Sequence, residues 1–153
     1  MRRRGLSLIE AMISLSITAM LLVAIAAAFH ASISAVEMND QFYRAQQSSR
    51  VSLNQILNQV RKCQSGVVDA TSLDLTIDSG EQRTFTLDGT DLKMTLTVPG
   101  DTTPSSFRLA SNIKTLKFDT DGKSISMRIT VAVGTNEVTL CGSAFPRRLM
   151  VYK

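Results

Sequence analysis

Hydrophobic positions follow three different patterns along the chain. Between Glu10 and Glu37 there is no Asp, Glu, Lys or Arg, so residues 11–36 form an uncharged run of 26. Met12, Ile13, Leu15, Ile17, Met20, Leu21, Leu22, Val23 and Ile25 supply its apolar surface. At about 1.5 Å rise per residue, a helix of that length spans about 39 Å and crosses a hydrocarbon core of roughly 30 Å. Ser7, Ser14, Ser16 and Thr18 are compatible with this, because hydroxyls back-bond to helix carbonyls. The second pattern is a one-sided stripe. Met38, Phe42, Ala45, Ser49, Leu53, Ile56, Leu57 and Val60 recur at steps of mostly three and four, with Asp40, Arg44, Gln47, Arg50, Asn54 and Asn58 on other faces. This is helical periodicity. No Pro or Gly interrupts residues 6–65, Arg61 and Lys62 suit a last turn, and Gly66 is the first predicted stop.

From Leu73 the period becomes two. Leu73, Leu75 and Ile77 alternate with polar residues, as do Phe85 and Leu87, then Leu92, Met94, Leu96 and Val98, and finally Ile125, Met127, Ile129, Val131 and Val133. Weaker strands are predicted near 107–109, 113–118 and 137–141. Asp78-Ser79-Gly80, Asp88-Gly89, Asp121-Gly122 and Gly134-Thr135-Asn136 are turn signals between them. The expected fold is α+β: a long N-terminal helix, half membrane span and half amphipathic, packed on a C-terminal antiparallel meander. The helix stripe covers the apolar face of the sheet. Pro99 to Ser106 reads as a loop.

Charge sharpens the picture only at one end. The 17 Lys and Arg against 13 Asp and Glu give +4, but Arg2, Arg3 and Arg4 supply three of those positive charges. The remainder is nearly neutral, so the basic balance is not a nucleic-acid signature. A basic end before an apolar run predicts a cytoplasmic N-terminus and an exported C-terminal part. Three readings of this end compete. A secretory signal peptide cut near Ala26-Ala27-Ala28 accounts for the small residues, but the apolar run is too long and passes beyond them. A plain anchor accounts for the length and not for Glu10. A carboxylate at the start of a membrane helix needs a partner if it lies deep, or else it snorkels to the interface beside the arginines.

Arg4-Gly5-Leu6-Ser7-Leu8-Ile9-Glu10 followed by Ala11-Met12-Ile13-Ser14-Leu15-Ser16-Ile17 resembles the leader and processing site of type IV prepilins. That pattern has a short basic leader ending in Gly, an apolar helix, and a glutamate at its fifth mature position. The resemblance implies cleavage by prepilin peptidase after Gly5 and N-methylation of Leu6, where the family more often has Phe. It implies residues 1–5 as leader, 6–35 as the transmembrane and filament-core helix, and 36–153 as the globular domain. The subunit is expected to sit singly spanning a bacterial inner membrane, with its C-terminal domain in the periplasm. From there an inner-membrane assembly platform draws it into a type IV pilus or a type II secretion pseudopilus. Glu10 is expected to pair with the N-terminal amine of a neighbouring pilin or pseudopilin subunit, since an unpaired carboxylate in a dry core is costly. The order of elements is similar to minor pilins and to the J-type minor pseudopilins of type II secretion. The alternatives are an adhesion or DNA-uptake pilin displayed on such a filament and a signal-peptide-bearing exported enzyme.

Little else in the chain carries chemistry. Cys63 at the predicted helix end and Cys141 in the last strand region are expected to form a disulfide in an exported domain. It would close a loop of about 78 residues, worth on the order of 4 kcal/mol; two buried free thiols are the other reading. His30 has no acid or nucleophile pattern beside it and reads as an interfacial or packing residue. Asp119-Thr120-Asp121-Gly122 lacks the spacing and closing Glu of a calcium loop and reads as a hairpin turn. Arg147, Arg148 and Lys153 read as a solvated chain end. No phosphate loop, Cys-x-x-Cys or catalytic Ser motif is present. The sequence therefore predicts a structural assembly protein and not an enzyme, with no cofactor, no metal site and no nucleic-acid partner.

Overall fold

The computed structural model describes residues 7–77, 79–101, 103–147 and 151–152. One helix, α1 (Leu8–Lys62), precedes eight strands: β1 (Ser65–Val68), β2 (Ser72–Thr76), β3 (Gln82–Asp88), β4 (Asp91–Thr97), β5 (Ser105–Ala110), β6 (Ile113–Thr120), β7 (Ile125–Val133) and β8 (Asn136–Ala144). A two-residue strand, β9 (Val151–Tyr152), follows. The chain divides into two compact units, 1–40 and 41–153. The expected α+β architecture is present.

In the first unit every described residue is exposed, including Leu15 at 74%, Met20 at 74% and Val23 at 70%. Its helix thus buries none of its apolar surface within the chain. The back-bonding expected of its hydroxyls is made: Ser16 Oγ donates to the Met12 carbonyl at 2.9 Å and Thr18 Oγ1 to that of Ser14 at 2.8 Å.

In the second unit the stripe predicted from periodicity is the buried face of α1 from Ala45 onward, whereas Phe42 is half-buried and Met38, in the first unit, is exposed. Ala45, Ser49, Leu53, Ile56, Leu57 and Val60 are buried, and Ser52 joins them. Arg44, Gln47, Arg50, Asn54 and Asn58 are exposed. Small residues let the sheets approach the helix. Ser49 Oγ donates to the Ala45 carbonyl, and Ser52 Oγ reaches across to the Leu109 carbonyl at 3.0 Å. Leu109 is the extra residue of a β-bulge, since Leu92 pairs with Ala110 and Lys93 with Arg108. The bulge takes the Leu109 carbonyl out of the ladder and offers it to the helix serine.

The strands form two sheets and not the single meander expected. The larger has the order β5-β4-β3-β2-β1, antiparallel, with β9 added in parallel beside β1; the smaller is β6-β7-β8. The break falls at Asn112, whose φ of 60° places it in the left-handed region that Asn tolerates better than most residues. The chain turns there, and β6 leaves β5 to pair with β7. Two backbone bonds tie β6 to the larger sheet: Ile113 N–H to the Thr90 carbonyl at 2.9 Å and Phe118 N–H to that of Ala70 at 3.1 Å. The core is filled by Ile56 and Val60 of the helix, Leu73, Leu75, Phe85 and Leu92 of the larger sheet, and Ile113, Ile125, Ile129 and Val131 of the smaller.

The helix also stops earlier than Gly66. It ends at Lys62, because Gln64 N–H is taken by the Thr76 carbonyl at 2.9 Å and the chain enters β1. Gly66 lies buried inside that strand, where a Cβ would stand 3.1 Å from Leu75 Cδ2. A second glycine marks a closer approach. At Gly142 of β8 a Cβ would stand 2.7 Å from Leu57 Cδ1, so the strand backbone rests directly on the helix.

Candidate functional site

The N-terminal end of α1 is built by its own sequence. Ser7 precedes the first helical residue, Leu8, and Glu10 is the third residue of the helix. Ser7 N–H donates to Glu10 Oε2 at 3.0 Å, and Ala11 N–H donates to the Ser7 carbonyl at 3.2 Å. This is half of a capping box, Ser-x-x-Glu, in which the glutamate satisfies an amide that the helix leaves without a partner. An acidic group here also suits the positive end of the helix dipole. The signal for this cap, Ser7 three residues before Glu10, is present in the sequence. Among the described residues Glu10 thus has one tie, to the Ser7 amide, and its carboxylate has further acceptor capacity. Gly5 and Leu6, the expected cleavage and methylation positions, lie outside the described residues, as do Arg148 and Lys153.

The apolar helix that follows Glu10 is long and apolar enough to cross a membrane. His30 is exposed on it, and its carbonyl accepts from Ser34 Oγ at 3.0 Å.

The two cysteines are not bonded in the structure. Cys63 is buried at the end of α1, with its thiol donating to the Val60 carbonyl at 3.0 Å. Burial pushes this thiol above its ordinary value. Cys141 lies directly opposite Arg128, in the register that buries Ile129 opposite Leu140. Residues facing one another across a ladder point to the same side. Arg128 is exposed, and so is Cys141, which puts the two thiols on opposite sides of the small sheet. Slipping β8 by one residue would bring Cys141 inward only by turning Leu140 out. In unreduced native protein Cys141 alone is expected to react with a maleimide, and Cys63 only after unfolding. Detection of no reactive thiol by mass spectrometry would contradict this register.

Asp121 to Ser124 is the hairpin loop expected here, with Asp119 and Thr120 ending β6. Asp121 Oδ1 accepts from the amides of Ser124 at 2.6 Å and Lys123 at 2.9 Å and from the Ser124 hydroxyl at 3.1 Å. The backbone bond from Ser124, then that from Lys123, hold its carboxyl below the usual carboxylate value. One oxygen of this carboxylate is thus taken up by its own loop. No group of three or more His, Cys, Asp or Glu poised to hold a metal occurs among the described residues. Arg147 is exposed.

A family model described as the prokaryotic N-terminal methylation motif matches residues 1–26. No curated protein and no solved structure matches the chain. The matched segment contains Gly5, Leu6, the Ser7 cap, Glu10 and more than half of the uncharged run.

Proposed function

We propose that this type IV pilin-like chain is a structural subunit of a type IV pilus or type II secretion pseudopilus, of the minor pilin or J-type minor pseudopilin kind. The observation that carries the reading is one carboxylate, Glu10, at the head of a wholly exposed apolar helix and inside the methylation motif. Such a helix has two ways to leave water: lipid, or sister helices. The first fits a single-pass anchor in the inner membrane, with Arg2–Arg4 holding the N-terminus on the cytoplasmic side and the sheets in the periplasm. The second is the filament core.

In this reading prepilin peptidase cuts after Gly5 and methylates the new Leu6 amine. The assembly platform then lifts the helix from lipid into protein, exchanging one apolar environment for another at little cost. Selectivity comes from charge. Glu10 pairs with a neighbouring subunit's N-terminal amine, and only the register that joins them avoids stranding a charge in a dry core. Catalysis has no place in this scheme, and no cofactor is called for.

The test is N-terminal sequencing of protein extracted from membranes. The expected chain begins at a methylated Leu6 and retains the whole helix. A start near Phe29 or Ser32 would mean ordinary signal-peptide removal and would overturn the reading.

A further inference from the structure

The second unit has three long edge strands, β5, β6 and β8, and they are built differently; β6 is tied to the turns of the larger sheet through its Ile113 and Phe118 amides. The β5 edge is blunted by Pro104 just before it, a bulge at Leu109 and the charged Arg108. The β8 edge has none of these devices. It runs for 9 residues, Asn136–Ala144, in unbroken register with β7, and contains neither Pro nor Lys. Its one charge, Glu137, is tied to Lys114 of β6.

The direction of its backbone groups follows from the hairpin. Gly134-Thr135 is a two-residue loop between the paired residues Val133 and Asn136, and Gly134 has the φ of 61° that a type II′ turn needs at its first position. In such a hairpin the flanking pair is hydrogen-bonded, and the bonded pairs then alternate. Ala132 N–H donates to the Asn112 carbonyl, away from β8, as this alternation requires. The even residues of β8 therefore bond to β7. Glu137, Thr139, Cys141 and Ser143 point their N–H and C=O groups outward, and no backbone partner for them occurs among the described residues.

The outer face beside this edge supplies specificity. Lys117, Arg128 and Cys141 form one row across the three strands. Lys117 and Arg128 make no ion pair among the described residues, whereas Arg83, Lys93, Arg108 and Lys114 each do. The sheet shows that a cation and a carboxylate two strands apart can pair on this face: Lys114, at the β6 bulge, reaches over β7 to Glu137 of β8. Cys141 is a short side chain, so a strand added beside β8 would hold the residue opposite Cys141 at the same two-strand distance from Arg128.

We infer that the β8 edge accepts an extended strand from a different filament subunit, alternating apolar and polar residues with a carboxylate opposite Cys141. The apolar residues cover Val138 and Leu140, which β8 leaves half-buried, and the carboxylate pairs with Arg128. Main-chain bonds give affinity and the charge gives choice of partner. A second copy of β8 fits less well: full overlap centred on Leu140 puts Thr139 opposite Cys141 and leaves Arg128 unmatched. That the partner is a filament subunit rests on the function proposed above; the strand addition does not.

The probe is a fluorescent synthetic peptide the length of β8, alternating valine with threonine, with glutamate in place of its central threonine, or lysine there instead. Each is titrated with the full chain in detergent micelles and read by anisotropy. The glutamate peptide is expected to bind about tenfold more tightly than the lysine peptide, the scale of one charge-assisted pair. Arg128→Glu should reverse that order. Cys141→Pro, or Thr139→Pro two residues away, removes an outward N–H without touching the β7 ladder. Either should abolish binding of both peptides at an unchanged melting temperature. Absence of binding, equal binding by both proline variants, or wild-type dimerisation that they abolish would overturn the inference. Glu10→Gln should leave peptide binding intact, which separates failure of this edge from failure of filament assembly.

Discussion

Glu10→Gln is expected to leave the subunit in the membrane and to lower its incorporation into filaments by about two orders of magnitude. The substitution is informative because of the capping box. Gln at the third helical position accepts from the Ser7 amide as Glu does, so the contact seen at 3.0 Å survives and only the charge is lost. Glu10→Ala removes both and cannot tell them apart. Without the carboxylate, a neighbour's amine enters the filament core unpaired. One stranded charge of a buried pair costs roughly 3 kcal/mol. At about 1.4 kcal/mol per tenfold, that is about a hundredfold in the assembly equilibrium. The measurement is the ratio of subunit in sheared filaments to subunit in membranes, with the processed N-terminus checked in both. Incorporation equal to wild type would show that the carboxylate serves only its own helix. A fall in membrane content would instead point to insertion.

How much of this was legible in the sequence depends on the range over which each feature is decided. Ala45, Ser49, Leu53, Ile56, Leu57 and Val60 were read as one face from spacing alone and are buried together, because a helix fixes its own faces locally. The alternation from Ile125 to Val133 gave β7 with the same bounds. What was illegible depends on partners. Two short strands, β1 and β9, exist through pairing with each other and with β2 and have too few residues to show a period. The division into two sheets turns on one left-handed Asn112, and Asn in a polar link is no more than a weak signal. The cysteines are a different case. Val138 and Leu140 alternate, so Cys141 belongs to the opposite face, a local signal that outweighs the disulfide expected from compartment alone. The Ser7–Glu10 cap was equally readable. The glutamate has two roles open to it, and the same side chain that would serve assembly also caps its own helix.

The contact between β8 and α1 yields the second large effect. Leu57→Ala should destabilise the second unit by about 2–5 kcal/mol, through lost burial and a residual cavity. Gly142→Ala should cost about 1–3 kcal/mol for the opposite reason, since its Cβ enters the space of Leu57 Cδ1, 2.7 Å away. Leu53 limits the retreat, because both its terminal methyls stand 3.4 Å from the same point. The double variant tests the geometry. With Leu57 shortened, the added methyl fills part of the vacated volume, so the pair should cost less than the sum of the singles by about 1–3 kcal/mol. The readout is the alkylation rate of Cys63 against urea, in a Cys141→Ser background. That buried thiol reports opening of this unit and ignores the apolar helix, which stays folded in detergent. Strict additivity would mean that β8 does not rest on the helix at Gly142. The register that turns Cys141 outward and leaves the β8 edge open would then lose its anchor as well.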